Sequence, residues 1–145
     1  MIEEVVSPSS EETDRLLEIW LAANLEAHPF IPETYWQDQL DLVREQLGKA
    51  ELYVYKVQEQ VAAFVGLQGN YIAGIFVWSD YRGQGIGKSL LEEIKRKYQQ
   101  LELAVYSKNT QAVAFYKREN FFVVSEEMDR ATGEWEYRMK WQKEV

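Results

Sequence analysis

The chain has 145 residues, 46% of them apolar and 14% aromatic, with three prolines and eight glycines. That composition excludes disordered, collagen-like and low-complexity classes and fits one domain over residues 1–145. With 16 lysines and arginines against 24 aspartates and glutamates the formal charge is −8, which argues against a nucleic-acid partner and mildly favours cationic ones such as amines.

Cysteine is absent and histidine occurs once, which removes disulfide scaffolds, thiolate zinc sites and a cysteine nucleophile, so no metal is expected. No run approaches the about 20 apolar residues that span a bilayer, and the opening MIEEVVSPSS lacks the basic and apolar regions of a secretion signal. A cytoplasmic protein with no membrane partner is expected.

Ile2 to Val6 reads as a strand. Ser9 and Glu12 have capping-box spacing before Leu16, Leu17, Ile19 and Trp20, which predicts a helix to about Asn24. His28-Pro29-Phe30-Ile31-Pro32 ends it, because each proline pushes its predecessor into extended geometry. A second helix is predicted from Glu33, carrying Tyr35, Trp36, Leu40, Val43 and Leu47, with Gly48 as its C′ stop. Leu52 to Val57, Val61 to Leu67 and Tyr71 to Val77 are three strand-like runs joined by links short enough for an antiparallel meander. Gly85 to Tyr98 places Ile86, Leu90, Ile94 and Tyr98 on one helical face. Then follow a strand from Leu101 to Val105, a helix from Asn109 to Glu119, and strands from Phe121 to Val124 and Glu134 to Trp141. In that last strand Trp135, Tyr137 and Trp141 read as sheet packing. The order β-α-α-β-β-β-α-β-α-β-β predicts an α+β domain, a mixed central sheet flanked by helices.

The segment Phe76 to Ser89 runs from an apolar strand through a glycine-rich turn into a helix, the arrangement whose free amides and dipole bind phosphate. A Walker loop would need glycine where Arg82 stands, and a dinucleotide fingerprint would need it at Lys88 or Leu90, so both fail. What fits is Arg82-Gly83-Gln84-Gly85-Ile86-Gly87, read as R-x-x-G-x-G. About 22 residues on comes Asn109-Thr110-Gln111-Ala112-Val113-Ala114-Phe115-Tyr116-Lys117-Arg118-Glu119-Asn120-Phe121, close to N-x-x-A-x-x-F-Y-x-x-x-G-F. With these two signatures in order the chain resembles the GNAT superfamily of acetyl-CoA-dependent N-acetyltransferases. Asn120 departs from the usual glycine, and asparagine tolerates the positive φ expected there. His28 to Ile31, Tyr35-Trp36 and Arg82 to Lys88 are further similar to a small bacterial subgroup that acetylates lysines or N-termini of proteins and peptides.

The resemblance implies that backbone amides across Arg82, Gly83, Gln84, Gly85, Ile86, Gly87 and Lys88 hold the pyrophosphate of acetyl-CoA. It also implies that Phe76 and Val77 pair with the pantetheine arm and that an amide near Val77 polarises the thioester carbonyl. Asn109 and Tyr116 stand seven residues apart on one helix face. Tyr116 is the candidate acid for the departing thiolate, and Asn109 a candidate N-cap and cofactor contact. Candidates for the base are Glu26, His28, Glu33 and Tyr71, while Phe30, Tyr35, Trp36 and Tyr71 are candidates to line the acceptor pocket. The expected activity is acetyl transfer from acetyl-CoA to a primary amine of a protein or peptide by direct attack in a ternary complex. The alternatives are a small-molecule acceptor such as a polyamine, amino acid or aminoglycoside, or a non-catalytic acetyl-CoA-binding module. Exposed edges and aromatics permit a homodimer without requiring one.

Overall fold

The capping box at Ser9 and Glu12 forms in full in a computed structural model of the protein, which describes residues 1–144. The Ser9 hydroxyl accepts from the Glu12 amide at 3.1 Å, and the Glu12 carboxylate accepts from the Ser9 amide at 2.9 Å. Helix α1 (Ser10–Ala27) runs past the predicted end at Asn24, because no residue before the His28-Pro29 step disturbs its ladder. The single helix predicted after Pro32 is two, α2 (Glu33–Asp38) and α3 (Leu40–Leu47). Gln39 stands between them at φ −87° and ψ −9°, in the sparsely used bridge region. The break lets Trp36 meet Trp20 of α1 edge-on at 5.7 Å while Leu47 is buried in the same layer. Gly48 ends α3 at φ −68°, without the left-handed turn expected of it.

The remaining elements are β1 (Ile2–Val5), β2 (Glu51–Val57), β3 (Gln60–Gln68), β4 (Tyr71–Val77), α4 (Ile86–Lys95), β5 (Gln100–Tyr106), α5 (Thr110–Arg118), β6 (Phe122–Asp129) and β7 (Glu134–Gln142). The strands form one sheet in the order β1-β2-β3-β4-β5-β7-β6, in which β4 runs parallel to β5 and the other pairings are antiparallel. Chain order therefore hides one neighbour, since β7 inserts between β5 and β6. On one face α4 and α5 bury Leu90, Leu91, Ile94, Leu101, Leu103 and Met139; on the other α1, α2 and α3 bury Leu16, Ile19, Leu52, Val54 and Phe64. Asn120 takes φ +72°, as its place after α5 required, and sends Phe121 into the first layer. Trp141 is buried and Tyr137 partly so, but Trp135 is 48% exposed beside the exposed Met128 of β6, so its expected packing role does not hold.

One irregularity sets the shape of the sheet. Gly66 of β3 faces Gly74 and Leu67 faces Ile72, which leaves Ala73 without an opposing residue. Ile72 belongs to the α4–α5 layer, yet Phe76, an even number of residues along, belongs to the α1 layer. A regular strand would keep both on one face, so the bulge at Ala73 reverses the alternation and bends β4.

Candidate active site

Beyond the bulge β4 and β5 part. Their registered pair is Tyr71 with Glu102, whose amide donates to the Asn70 carbonyl at 3.0 Å, and past it a cleft of about 1400 Å³ opens between the strands. The β4 side of this cleft is a free strand edge. The Trp78 amide is spent on the Ala62 carbonyl at 2.8 Å, so strand alternation turns the N–H and C=O of Val77 and Ile75 away from β3 and into the gap. Such an edge takes an extended amide-bearing ligand as an added strand. The Phe76 ring packs on Phe64 at 5.1 Å and folds over Gly74, where an added Cβ would overlap it.

At the end of β4 a short 3-10 turn (Ser79–Tyr81) leads into Arg82 and the glycines. Gly85, the N-cap of α4, has φ +79° and would meet nothing within 4 Å if it carried a Cβ, so glycine is needed there for its backbone angle. The first ladder bond of α4 runs from Ser89 to the Gly85 carbonyl at 3.0 Å, which leaves the amides of Ile86, Gly87 and Lys88 free for an anion. Arg82, Gly83, Gly85, Ile86, Gly87 and Lys88 all border the cleft, with Arg118 of α5 as a further cation. Gln84 does not, its amide reaching back to the Asp80 carbonyl at 3.4 Å. A free strand edge ending in an amide cradle with nearby cations fits the pantetheine and pyrophosphate of acetyl-CoA.

Tyr116 lies in the cleft wall on α5, 8% exposed and set edge-on to Phe115 and Phe121. Burial, with Tyr71 close by, holds its pKa far above the ordinary 10.0, so the phenol keeps its proton. Asn109 caps α5: its Oδ1 accepts the Ala112 amide at 3.2 Å. That fixes the other half of the amide as a donor, and Nδ2 lies 3.2 Å from His28 Nε2. From this network the His28 proton sits on Nδ1 and the Nε2 lone pair is taken. Burial lowers the His28 pKa, partly opposed by the Asn24 backbone, so the ring is neutral. It stacks on Trp36 at 5.2 Å and meets Phe30 and Tyr106 edge-on at 5.6 and 5.1 Å. Among the described residues Trp36 Nε1 is buried without a hydrogen-bond partner, at a cost of about 1–3 kcal/mol.

The structure thus brings His28 and Asn109 together, and also ties Glu26 to Arg82 through an ion pair at 2.7 Å that joins the end of α1 to the glycine turn. Phe30, Trp36 and Tyr71 border the cleft, whereas Tyr35 stands behind Trp36 at 5.0 Å and Glu33 lies off the lining. Burial, then the charge of Glu136, raises the Tyr71 pKa. Sequence reasoning passed over three polar residues here. Tyr106 of β5 donates to Asp129 of β6 at 2.5 Å, and Glu136 of β7 sits opposite Tyr106 in register. No spacing in the sequence marks them, because the order of β5, β7 and β6 is what brings them together.

Residues 12–143 match the family model described as an acetyltransferase (GNAT) domain. The peptidyl-lysine N-acetyltransferase YiaC of Escherichia coli (strain K12) is 35% identical over 115 residues, covering 78% of this chain and 79% of that protein. The peptidyl-lysine N-acetyltransferase YjaB of Salmonella typhimurium is 36% identical over 114 residues, with the same coverage of 78% and 79%. The solution structure of apo-form YjaB from Escherichia coli superposes with a TM-score of 0.82 at 29% identity, covering 97% of each chain. With its two signatures, its divided sheet and these matches, the chain belongs to the GNAT acetyltransferase family and is an N-acetyltransferase.

Proposed function

We propose that the protein acetylates lysine side-chain amines of proteins or peptides with acetyl-CoA as donor, residues 1–145 working as one catalytic domain. The observation that carries the reading is the parting of β4 from β5, which sets a free strand edge, an anion cradle and the Tyr116 phenol along one cleft. The acceptor class is supported by the relatives, which are named for peptidyl-lysine acetylation.

When bound, acetyl-CoA supplies an acetyl group activated as a thioester. The amides of Ile86, Gly87 and Lys88 and the cations Arg82 and Lys88 hold the pyrophosphate. The inward-facing main chain of Ile75 and Val77 would pair with the pantetheine amides, and an inward N–H of this edge would meet the thioester oxygen, where it would stabilise charge as the amine adds. Tyr116, kept protonated by burial, donates to the sulfur as it leaves. Asn109 holds His28, and with it the aromatic wall of Phe30 and Trp36, against the acceptor side. The chain has no cysteine to carry an acyl group, which favours direct attack by the amine.

Thiol release from acetyl-CoA tests this, and a cysteine-free protein adds no thiol of its own. Release with N-terminally blocked lysine peptides is the expected result. Release with polyamines or free amino acids alone would move the acceptor to small molecules. Acetyl-CoA binding without release for any acceptor would overturn the catalytic reading in favour of a binding module.

A further inference from the structure

Acetyl transfer to lysine leaves one task without an owner: the amine arrives as an ammonium and must lose a proton before its nitrogen can attack. The residues the sequence offers for this are engaged or misplaced. The His28 Nε2 lone pair is taken by Asn109, Glu26 is bound to Arg82, and Glu33 lies off the cleft. Tyr71 is a phenol whose pKa is pushed upward.

Resting on the acetyl-transfer reading, we propose that Glu136 is the carboxylate that binds the acceptor's ammonium and takes its proton. Among the described residues three carboxylates border the cleft, Glu26, Glu119 and Glu136. Glu26 is spent on Arg82, and Glu119 closes α5 next to Arg118, at the cationic end. Glu136 is half-buried at the other end, opposite Tyr106, whose ring meets His28 and Phe30. Glu127 and Asp129 approach it from β6, Arg138 from its own strand, Tyr35 from α2 and Tyr71 from β4, while Lys108, in the loop after β5, stands over the Phe30 ring. The two cations are already engaged, Arg138 with Glu127 at 3.5 Å and Lys108 with Glu134 at 2.9 Å. Asp129 accepts from the Tyr106 and Thr132 hydroxyls. Among the described residues Glu136 has no ion-pair partner, and the charge around it is net negative. Such surroundings suit a cation, and the tyrosines around Glu136 favour an ammonium.

Burial, and then the charges of Asp129 and Glu127, raise the Glu136 pKa above the ordinary 4.5, against the opposing pull of Arg138. The shift brings it nearer the range useful to a base. Of the ammonium's three protons, one goes to Glu136 and on to water. One stays on the new amide nitrogen, and one reaches the departing sulfur by way of Tyr116. The nitrogen lone pair forms the C–N bond as the C–S bond breaks.

The test compares wild type with Glu136→Gln, using an N-terminally blocked lysine peptide, thiol release across the acid-to-neutral range, and acetyl-CoA binding in parallel. Because Glu136 acts ionised, wild-type kcat/KM should rise with pH through a limb lying above 4.5. In Glu136→Gln kcat/KM should fall about 100-fold and that limb should vanish, with acetyl-CoA affinity unchanged. Glu136→Asp should keep the limb. Folding should survive the change to glutamine. A carboxylate with a raised folded pKa stabilises the fold only at low pH and loses that contribution as pH rises through the folded value, so a neutral amide should melt no lower near neutrality. Wild-type rate and limb in Glu136→Gln would overturn the proposal, as would a loss confined to KM with the limb intact. A wild type that binds acetyl-CoA yet releases no thiol would overturn the acetyl-transfer reading itself, and the role of Glu136 with it.

Discussion

From Ile75 to Lys88 the cleft is walled by main chain, with inward carbonyls and amides on β4 and then the free amides that open α4. Across from it, around His28, Phe30, Trp36, Tyr106 and Glu136, the wall is side chain, drawn from α1, the loop after it, α2, β5 and β7. The two kinds of wall suit two kinds of ligand. Main chain offers a fixed pattern of donors and acceptors that any residue type can carry provided φ is right, which fits an invariant cofactor. Side chains can be exchanged one at a time, which fits an acceptor that differs among related enzymes.

Four substitutions test this contrast, with the largest effect expected where the walls meet. Tyr116→Phe removes the proton donor but leaves both walls in place, so kcat should fall about 100- to 10,000-fold with acetyl-CoA affinity unchanged, measured by thiol release and calorimetry. A wild-type rate would remove the assigned role. Gly85→Val forces a β-branched residue to φ +79°, a strain of at least about 1–2 kcal/mol, so acetyl-CoA should bind roughly tenfold or more weakly. Unchanged affinity would show that the cradle does not depend on its backbone angle.

Asn109→Ala strikes the side-chain wall through its support. Losing the α5 cap should cost about 1 kcal/mol and lower the melting temperature by roughly 2–4 °C. With His28 released, KM for a lysine peptide should also rise, whereas a stability change with no change in KM would show that the wall stands without this tether. The smallest effect belongs to Glu26→Gln. Its exposed pair with Arg82 contributes about 0.2–1 kcal/mol, so kcat/KM should change less than about fivefold. A loss as large as that of Tyr116→Phe would restore Glu26 as a candidate base.

The same contrast explains what could be read from the chain alone. The cofactor wall lies in one stretch, where R-x-x-G-x-G after a strand marks it, and Asn109 and Tyr116 share one helix. Strand-like runs at Leu52, Val61 and Tyr71 gave the meander because hairpin partners are neighbours in sequence. The break at Gln39 could not be read, since it depends on where Trp36 and Leu47 must be buried. Nor could the surroundings of Glu136. In Glu134-Trp135-Glu136-Tyr137 it is one more polar residue of an alternating strand, and its neighbours are set by β7 entering between β5 and β6. Trp135 departs from its expected packing for the related reason that β6 lies at the sheet's edge, and no described residue covers that side of the hairpin.

Ala73, the unmatched residue of β4, acts as a phase shifter in the strand. Upstream of it Ile72 points to the helices that carry Tyr116; downstream Phe76 points to the helices that carry His28. Removing this one alanine would put Gly74 directly after Ile72 in an unbroken alternation, so Ile72 and Phe76 would keep their faces but the bend that parts β4 from β5 would be lost. A single-residue deletion in a strand that supplies no catalytic side chain should therefore close the cleft more completely than any one substitution in its walls. The spacing of this strand, counted in residues, is as much a part of the active site as its chemistry.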